Sequence, residues 1–499
     1  MTNKGNKNKF DLLFILTIGL LWLAFTFNAC YKTNYYAGSD ASLRFSVDTL
    51  VFDTVFTTVG SATRILKVFN DLDQPVEISS IYLESGQASK FRLNIDGISD
   101  SGAELIEIGA RDSIYIFGEV TVDPDEPISV SPFIISDQLV FDLNGKKQSL
   151  RLEAWGQNAN YMPGKTAKGK AFITSCDMGS INWDDPKPYV IYGTLLVDSC
   201  TLIIPEGTQI YFHGGYAQSP SGFDYNDGQL YFLENGSIQV NGSLENPVVF
   251  QTDRLEHKYD DISGLWSGIY FLSGSRNNSM NYAILKNANI GLYLDSAVHM
   301  DLRNTKILHN ITTGIYARHA QLKAVNCLIG DSGGFGITLR YGGDYQMDHV
   351  TVANFDNQEE ALYLGNYQCR DYLCSNIDIN PLNAEFRNCI FFGNGKDELF
   401  FEDAYPDQPD AFKLKMDNCL VAVDELLKTA RFGNFLVEYP TCLNGAGENP
   451  VFIDRDTYNF KLDSNSIVIN KGIYLPDVPS DIDSTIRDGF PDLGCYEYK

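Results

Sequence analysis

The 499-residue chain is poor in several things that define large function classes. It has 6 His and 4 Trp, and no His at all between residues 43 and 158. Basic residues are scarce: 38 Lys and Arg stand against 64 Asp and Glu, a net charge of −26. Such a surface repels nucleic acid and anionic lipid headgroups, and disfavours polyanionic glycans unless a cation bridges them. After residue 27 no apolar run is long enough to span a bilayer. Zinc-ligand spacings, phosphate-binding loops and nucleophile elbows are missing, so no metal centre or cofactor is expected. Only FDYNDGQ (223–229) offers a faint calcium loop, one residue short and without a closing Glu.

What is present begins with an export signal. Lys4, Lys7 and Lys9 precede an apolar run, Leu12 to Phe27, interrupted only by Thr17, Gly19 and Thr26. The run is short and N-terminal, which favours a cleaved signal over a permanent span. It ends in Phe27-Asn28-Ala29-Cys30, which resembles the lipobox of bacterial lipoproteins, with Phe27 and Asn28 departing from the usual Leu and Ala or Ser. The resemblance implies removal of 1–29, acylation of Cys30, a tether over 30–42 and a membrane partner reached through the lipid. The location expected is the cell envelope, as an outer-membrane lipoprotein, with the membrane face left open because no acidic run follows Cys30. Ten Cys in an exported chain suggest disulfides, and with Cys30 acylated at least one thiol is left over. Cys369 and Cys374, in CRDYLC, are the best local pair, and Cys176 with Cys200 the second.

The mature length, roughly 470 residues, exceeds one ordinary domain. From 43 to 158 short alternating runs such as TRILKVFN (63–70) and DSIYIFGEVTV (112–122) are separated by turn residues, which predicts an antiparallel β-sandwich. FTTVGSATRILKVFNDLDQPVEISSI resembles immunoglobulin-like modules, which implies a stalk or spacer.

Beyond 165 a repeat emerges. Gly268-Ile269-Tyr270 recurs at Gly291, Gly314 and Gly336, and as Ala361-Leu362-Tyr363, in steps of 23, 23, 22 and 25. A second series places Asn304, Asn326, His349, Asn388 and Asn418 in phase, across insertions at 365–381 and 403–410. A third, Asn287, Asn310, Asp331, Asn354 and Asn394, marks a turn in which Asn side chains can bond their own backbone. Leucine-rich repeats share this period, but both segments of each turn are β-like and the Leu framework is missing. The expected fold is therefore all-β: the sandwich, a right-handed parallel β-helix over 165–445, and a C-terminal cap over 446–499. TLIIPEGTQIYF, ENPVVFQTD and LWSGIYF resemble the bacterial β-helix repeats of the pectate-lyase-like superfamily. The tail, ending DLGCYEY, resembles their D-x-G-A-Y-E-like closing segment, with Cys495 in place of Ala. The resemblance implies fold far more than function, since lyases, hydrolases and non-enzymes share it.

Strand alternation puts Ile269, Leu292, Ile315, Ile337 and Leu362 inside and leaves Tyr270, Tyr293, Tyr316, Thr338 and Tyr363 outside. Stacked at rung spacing, these phenols form a ladder, with Asp295, Arg318 and Arg340 two residues on. Flat rings beside charged hydrogen-bonding groups suit a sugar, so Tyr270, Tyr293, Tyr316, Tyr363, Asp295, Arg318 and Arg340 are the ligand-binding candidates, and a polysaccharide the candidate partner. Tyr–Tyr stacking that only stabilises the sheet accounts for the same pattern. The opposite series, including His299, Asp301, Lys323, Asp344, Glu385 and Lys415, alternates in sign as a solvated face does.

A non-catalytic role is favoured over an enzyme, with a polysaccharide lyase or glycoside hydrolase as the open alternative. Neither the polygalacturonase motif set nor the pectate-lyase Arg-x-Pro-x-x-Arg pattern is present. An uncharacterised lyase could still use Tyr316, Arg318 and Arg340, which share a face on neighbouring rungs. RLEHKYDDISGLWSGIY (254–270) gathers Arg254, His257, Asp260 and Asp261, but before the first regular turn of the repeat, which predicts a hydrogen-bonded loop.

Overall fold

The computed structural model describes residues 34–56, 63–100, 102–121, 133–162, 171–218, 224–255, 257–355, 359–445 and 452–499. Cys30 and the signal segment lie outside them. The chain forms two compact units, divided after Gly156.

The first unit is two five-stranded antiparallel sheets. Ser113–Val120 alternates buried and exposed along its length, sending Ile114, Ile116 and Val120 into a core with Leu66, Val68, Phe91 and Phe141. Asn144 and Gly145, both at positive φ (52° and 77°), turn Phe133–Leu143 into Lys146–Gln157. Asn-Gly is the pair that such a tight hairpin favours.

The second unit is a coil of three parallel sheets of nine, nine and eleven strands. The tyrosine sheet contains Gln229–Phe232, Trp266–Phe271, Ala288–Leu294, Thr313–Arg318, Ile337–Arg340, Leu362–Gly365 and Leu399–Glu402. A charged sheet contains His299–Arg303, Gln321–Val325, Gly343–Asp348, Leu382–Arg387 and Phe412–Asp417. A third includes Gln209–His213, Val248–Thr252, Lys306–Asn310, Leu328–Ser332 and Ile390–Gly393. The inward positions Ile269, Leu292, Ile315, Ile337 and Leu362, and Phe271, Leu294, Ala317, Leu339 and Leu364, are fully buried. Each large apolar side chain among them contributes roughly 1.5–3 kcal/mol. Trp266 is fully buried in this core, stacked on Phe212 at 3.8 Å, its indole N–H donating to the Lys286 carbonyl at 2.8 Å.

Between the charged and third sheets the chain turns through Asn304, Asn326, His349, Asn388 and Asn418, with φ of 48°, 50°, 54°, 56° and 51°. Asn tolerates this left-handed conformation and bonds across the turn. Asn326 donates to the Asn304 side chain (3.3 Å) and Asn388 to His349 Nε2 (2.9 Å). His349 donates from Nδ1 to the Gly494 carbonyl (3.2 Å), and burial holds its pKa well below the ordinary value, so the ring stays neutral. The third Asn series differs from its sequence spacing. The pairings place His309 between Asn287 and Asp331, and Gly393 opposite Asn354, while Asn310 faces Ser332 and Asn394 lies one residue on. Asn287, His309 and Asp331 share a positive φ, so the left-handed backbone, rather than the Asn identity, marks the position.

Leu426 and Phe435 close the last turn, while the tail, 452–499, lies along the outer face of the third sheet. Phe452, Phe460, Leu462, Val468 and Cys495 pack there on Leu328, Ile390, Phe392 and Leu420. The DLGCYE motif serves this docking. Asp492 accepts the backbone N–H of Asn470 and Tyr498, both at 2.6 Å, and Arg487 joins Glu497 at 2.7 Å. Gly494 has φ +83°, and a Cβ there would lie 2.4 Å from Thr351 Oγ1.

Candidate functional site

On the outer face of the tyrosine sheet, Tyr231, Tyr270, Tyr293 and Tyr316 stand in register on consecutive rungs. Their ring centroids are 4.7, 5.8 and 5.3 Å apart, with interplanar angles of 15°, 39° and 7°. Parallel in-register strands impose this spacing, about 4.8 Å per rung. Thr338 breaks the column, and Phe335 leans across the gap to within 5.3 Å of Tyr363. Phe400 continues it, stacked on Tyr363 at 5.6 Å. The floor then opens into a cavity of about 440 Å³ lined by Phe400, Phe401, Phe432, Glu360, Asp397 and Arg431.

Tyr270, Tyr293 and Tyr316 are half-buried, whereas Tyr363, expected on the open ladder, is only 6% exposed. Phe335 and Phe400 pack its ring and its hydroxyl donates to Glu402, so Tyr363 supports the stripe from beneath rather than offering a face. Arg318 and Arg340 are paired neighbours at the edge of the column. Arg318 donates to Asp295 at 3.0 Å and, through two nitrogens, to Gln368 at 3.2 and 2.7 Å. Arg340 lies in the field of Tyr363, Tyr316 and Glu402.

Gln368 comes from the insertion, a small hairpin of Tyr367–Cys369 with Ile377–Ile379. Cys369 and Cys374 are disulfide-bonded across its tip, as Cys176 is to Cys200 at the start of the coil. Asp371 fixes the tip by accepting the N–H of Leu373, Ser375 and Asn376. A rigid hairpin thus delivers Gln368 and Tyr367 to the rim of the stripe.

Burial raises the pKa of Tyr270 and Tyr293 and pushes Tyr231 up to about 12. These phenols stay protonated near neutrality, which makes them hydrogen-bond donors and apolar platforms rather than bases. The site offers ring faces at a fixed repeat, flanked by guanidinium, carboxylate and amide groups.

The cluster of Arg254, His257, Asp260 and Asp261 is not part of it. Arg254 lies over the Tyr259 ring at 4.1 Å, and Asp261 meets His309 at 3.4 Å. The Asn287 amide donates to the carbonyls of Tyr259, Asp260 and Ile262, tying the loop down. Among the described residues no group of three or more His, Cys, Asp or Glu is arranged to hold a metal ion. FDYNDGQ is only partly described, and there Asp227 accepts the Gly228 N–H at 3.0 Å.

Three members of the site are new relative to the sequence. Tyr231, in QLYF, lies 270 − 231 = 39 residues before Tyr270, outside the 22–25-residue step, and lacks the Gly-Ile that marks the repeat. Gln368 and Glu402 belong to an insertion and to an irregular final turn, so no period announces them. A further pair lies on the third sheet: His213 Nδ1 meets the Asp253 carboxylate at 2.6 Å, and the ring stacks on Tyr192 at 4.0 Å. Its only signal was that FH and TD end consecutive third-sheet strands.

Residues 191–357 match the family model for the right-handed β-helix region. No curated protein sequence matches the chain. Among solved structures, the E. coli chaperone DraB is 13% identical with a TM-score of 0.17, the alignment covering 23% of this chain and 55% of that one. A Porphyromonas gingivalis W83 protein of unknown function is 16% identical with a TM-score of 0.18, covering 28% and 59%. This chain therefore spans little more than half the length of either. Pectate lyase Pel9A is 13% identical with a TM-score of 0.30, covering 69% of this chain and 88% of its own. The parallel three-sheet coil and the family match define the class: an all-β chain whose body is a right-handed parallel β-helix.

Proposed function

We propose that this β-helix chain is a lipid-anchored cell-envelope protein that binds a glycan without turning it over, along the stripe from Tyr231 to Tyr316. One observation carries the reading: four phenol rings stacked in register on an outer sheet face, with Arg318, Asp295, Gln368 and Arg340 at their edge. Ring faces take the apolar side of a sugar and the flanking polar groups take its hydroxyls. The net charge of −26 favours a neutral glycan. The experiment is calorimetric titration of the full chain against a glycan panel, with the Tyr293→Ser/Tyr316→Ser double variant as control. Equal affinity of both proteins for every glycan that binds would end the proposal.

A polysaccharide lyase is the second reading, favoured by Arg340 and Arg318 lying on neighbouring rungs beside Tyr316. A lyase would release unsaturated ends from the same panel, and a binder releases none. A purely structural surface protein, the third, binds none of the panel. The anchor at Cys30 is tested separately, by detergent partitioning of the Cys30→Ser variant, which loses the membrane fraction if the Cys is acylated.

A further inference from the structure

In this coil two cysteines one turn apart lie on adjacent rungs, about 4.8 Å from each other. That separation falls within the Cα range a disulfide spans, about 4.4–6.8 Å. Cys176 and Cys200 show the arrangement in use at the N-terminal end, with a sequence separation of 24 and Cα atoms 5.1 Å apart. At the other end Cys419 and Cys442 differ by 442 − 419 = 23 residues, again one turn. Their strands are in register, since Leu420 pairs with Leu443 and the Leu443 N–H donates to the Cys419 carbonyl at 2.8 Å. Cys419 is buried in the core, where its thiol donates to the Phe386 and Asp417 carbonyls at 3.5 Å, and the half-buried Cys442 packs against that core.

We infer that Cys419 and Cys442 are a redox-modifiable site that closes to a disulfide in the mature protein, binding the last turn as Cys176–Cys200 binds the first. End rungs of a solenoid have one neighbour instead of two and fray first, so both ends are where a covalent link constrains most. The segment between the two cysteines contains Leu426 and Phe435, which cover the open end of the core.

The chemistry favours one order of events. Cys442 is partly exposed, and the adjoining Cys419 thiol lowers its pKa, while burial raises that of Cys419. Cys442 thiolate attacks an external disulfide oxidant, forming a mixed disulfide and releasing one oxidant thiol. Cys419 then loses its proton and attacks the Cys442 sulfur, releasing the second. Two electrons pass to the oxidant, which leaves as a dithiol. The chain's other two disulfides require an oxidant of the same class. Cys389 is also in register, because Ile390 pairs with Leu420, but it is fully buried and out of an oxidant's reach.

The test is peptide mapping of the full chain, exported from cells, alkylated under denaturing conditions and digested without reductant. The expected result is a Cys419–Cys442 cross-linked peptide, with Cys327, Cys389 and Cys495 alkylated. Alkylated Cys419 and Cys442, or a Cys389–Cys419 cross-link, would overturn the proposal. The Cys442→Ser variant should free Cys419 for alkylation and make 424–442 more sensitive to protease. Protease sensitivity equal to that of the unreduced wild type would also count against it.

Discussion

Arg318 and Gln368 are 50 residues apart and meet at the rim of the tyrosine stripe, two guanidinium nitrogens on one amide oxygen at 3.2 and 2.7 Å. Arg318 is thereby held between Gln368 and Asp295. Gln368→Ala removes one of these supports without touching the rings. It should weaken glycan binding about tenfold, or about 1.4 kcal/mol, while shifting stability by less than about 0.5 kcal/mol. Gln368→Glu, which keeps the acceptor, should restore affinity. Calorimetric titration and thermal melts of the three proteins separate positioning from folding.

Trp266 answers for the core. It is fully buried and stacked on Phe212 at the entry to the repeat. Trp266→Ala should cost about 3–5 kcal/mol in chemical denaturation, with the indole N–H bond to Lys286 lost as well. The loop 254–262 should then become protease-sensitive.

Arg387 and Asp348 form a two-point ion pair on the charged sheet, at 2.6 and 2.7 Å. The Asp348 side chain is 3% exposed. Arg387→Ala leaves that carboxylate buried with the Gln346 amide as its neutral donor and should destabilise by about 3 kcal/mol, whereas Lys415→Ala, whose exposed pair with Glu385 is solvated, should cost under about 1 kcal/mol. Urea denaturation of the two variants compares them directly.

Glu398 supplies a pH dependence. Burial lifts its pKa from 4.5 to about 8. The folded state therefore holds a proton there that the unfolded chain gives up at lower pH. Its contribution to stability is complete below about pH 4.5, declines above that value, and is lost as pH rises through about 8. Between pH 7 and 9 the melting temperature should fall more steeply in wild type than in Glu398→Gln. Parallel slopes would contradict this assignment.

The architecture was legible in the sequence because a β-helix repeats its constraints. Gly-Ile-Tyr steps of 22–23 residues and left-handed Asn positions recur along the coil, so inward positions such as Ile315 follow from the repeat itself. Residues answering to tertiary neighbours were not legible. Tyr363 alternates outward like Tyr316, yet Phe335 and Phe400 cover it. His309 takes a turn position that an Asn count assigned to Asn310. Gln368 arrives on a hairpin without period. The stripe and the charged part of its rim were readable, and Gln368 and Glu402 were not.

Direct titration of the full chain against a panel of neutral glycans, beside a folded Tyr293→Ser/Tyr316→Ser variant, tests the central claim. The account predicts at least one glycan that binds the wild type without chain cleavage and binds the variant at least about tenfold more weakly, a loss of about 1.4 kcal/mol. Equal binding by both proteins, no binding by either, or release of unsaturated ends would contradict it.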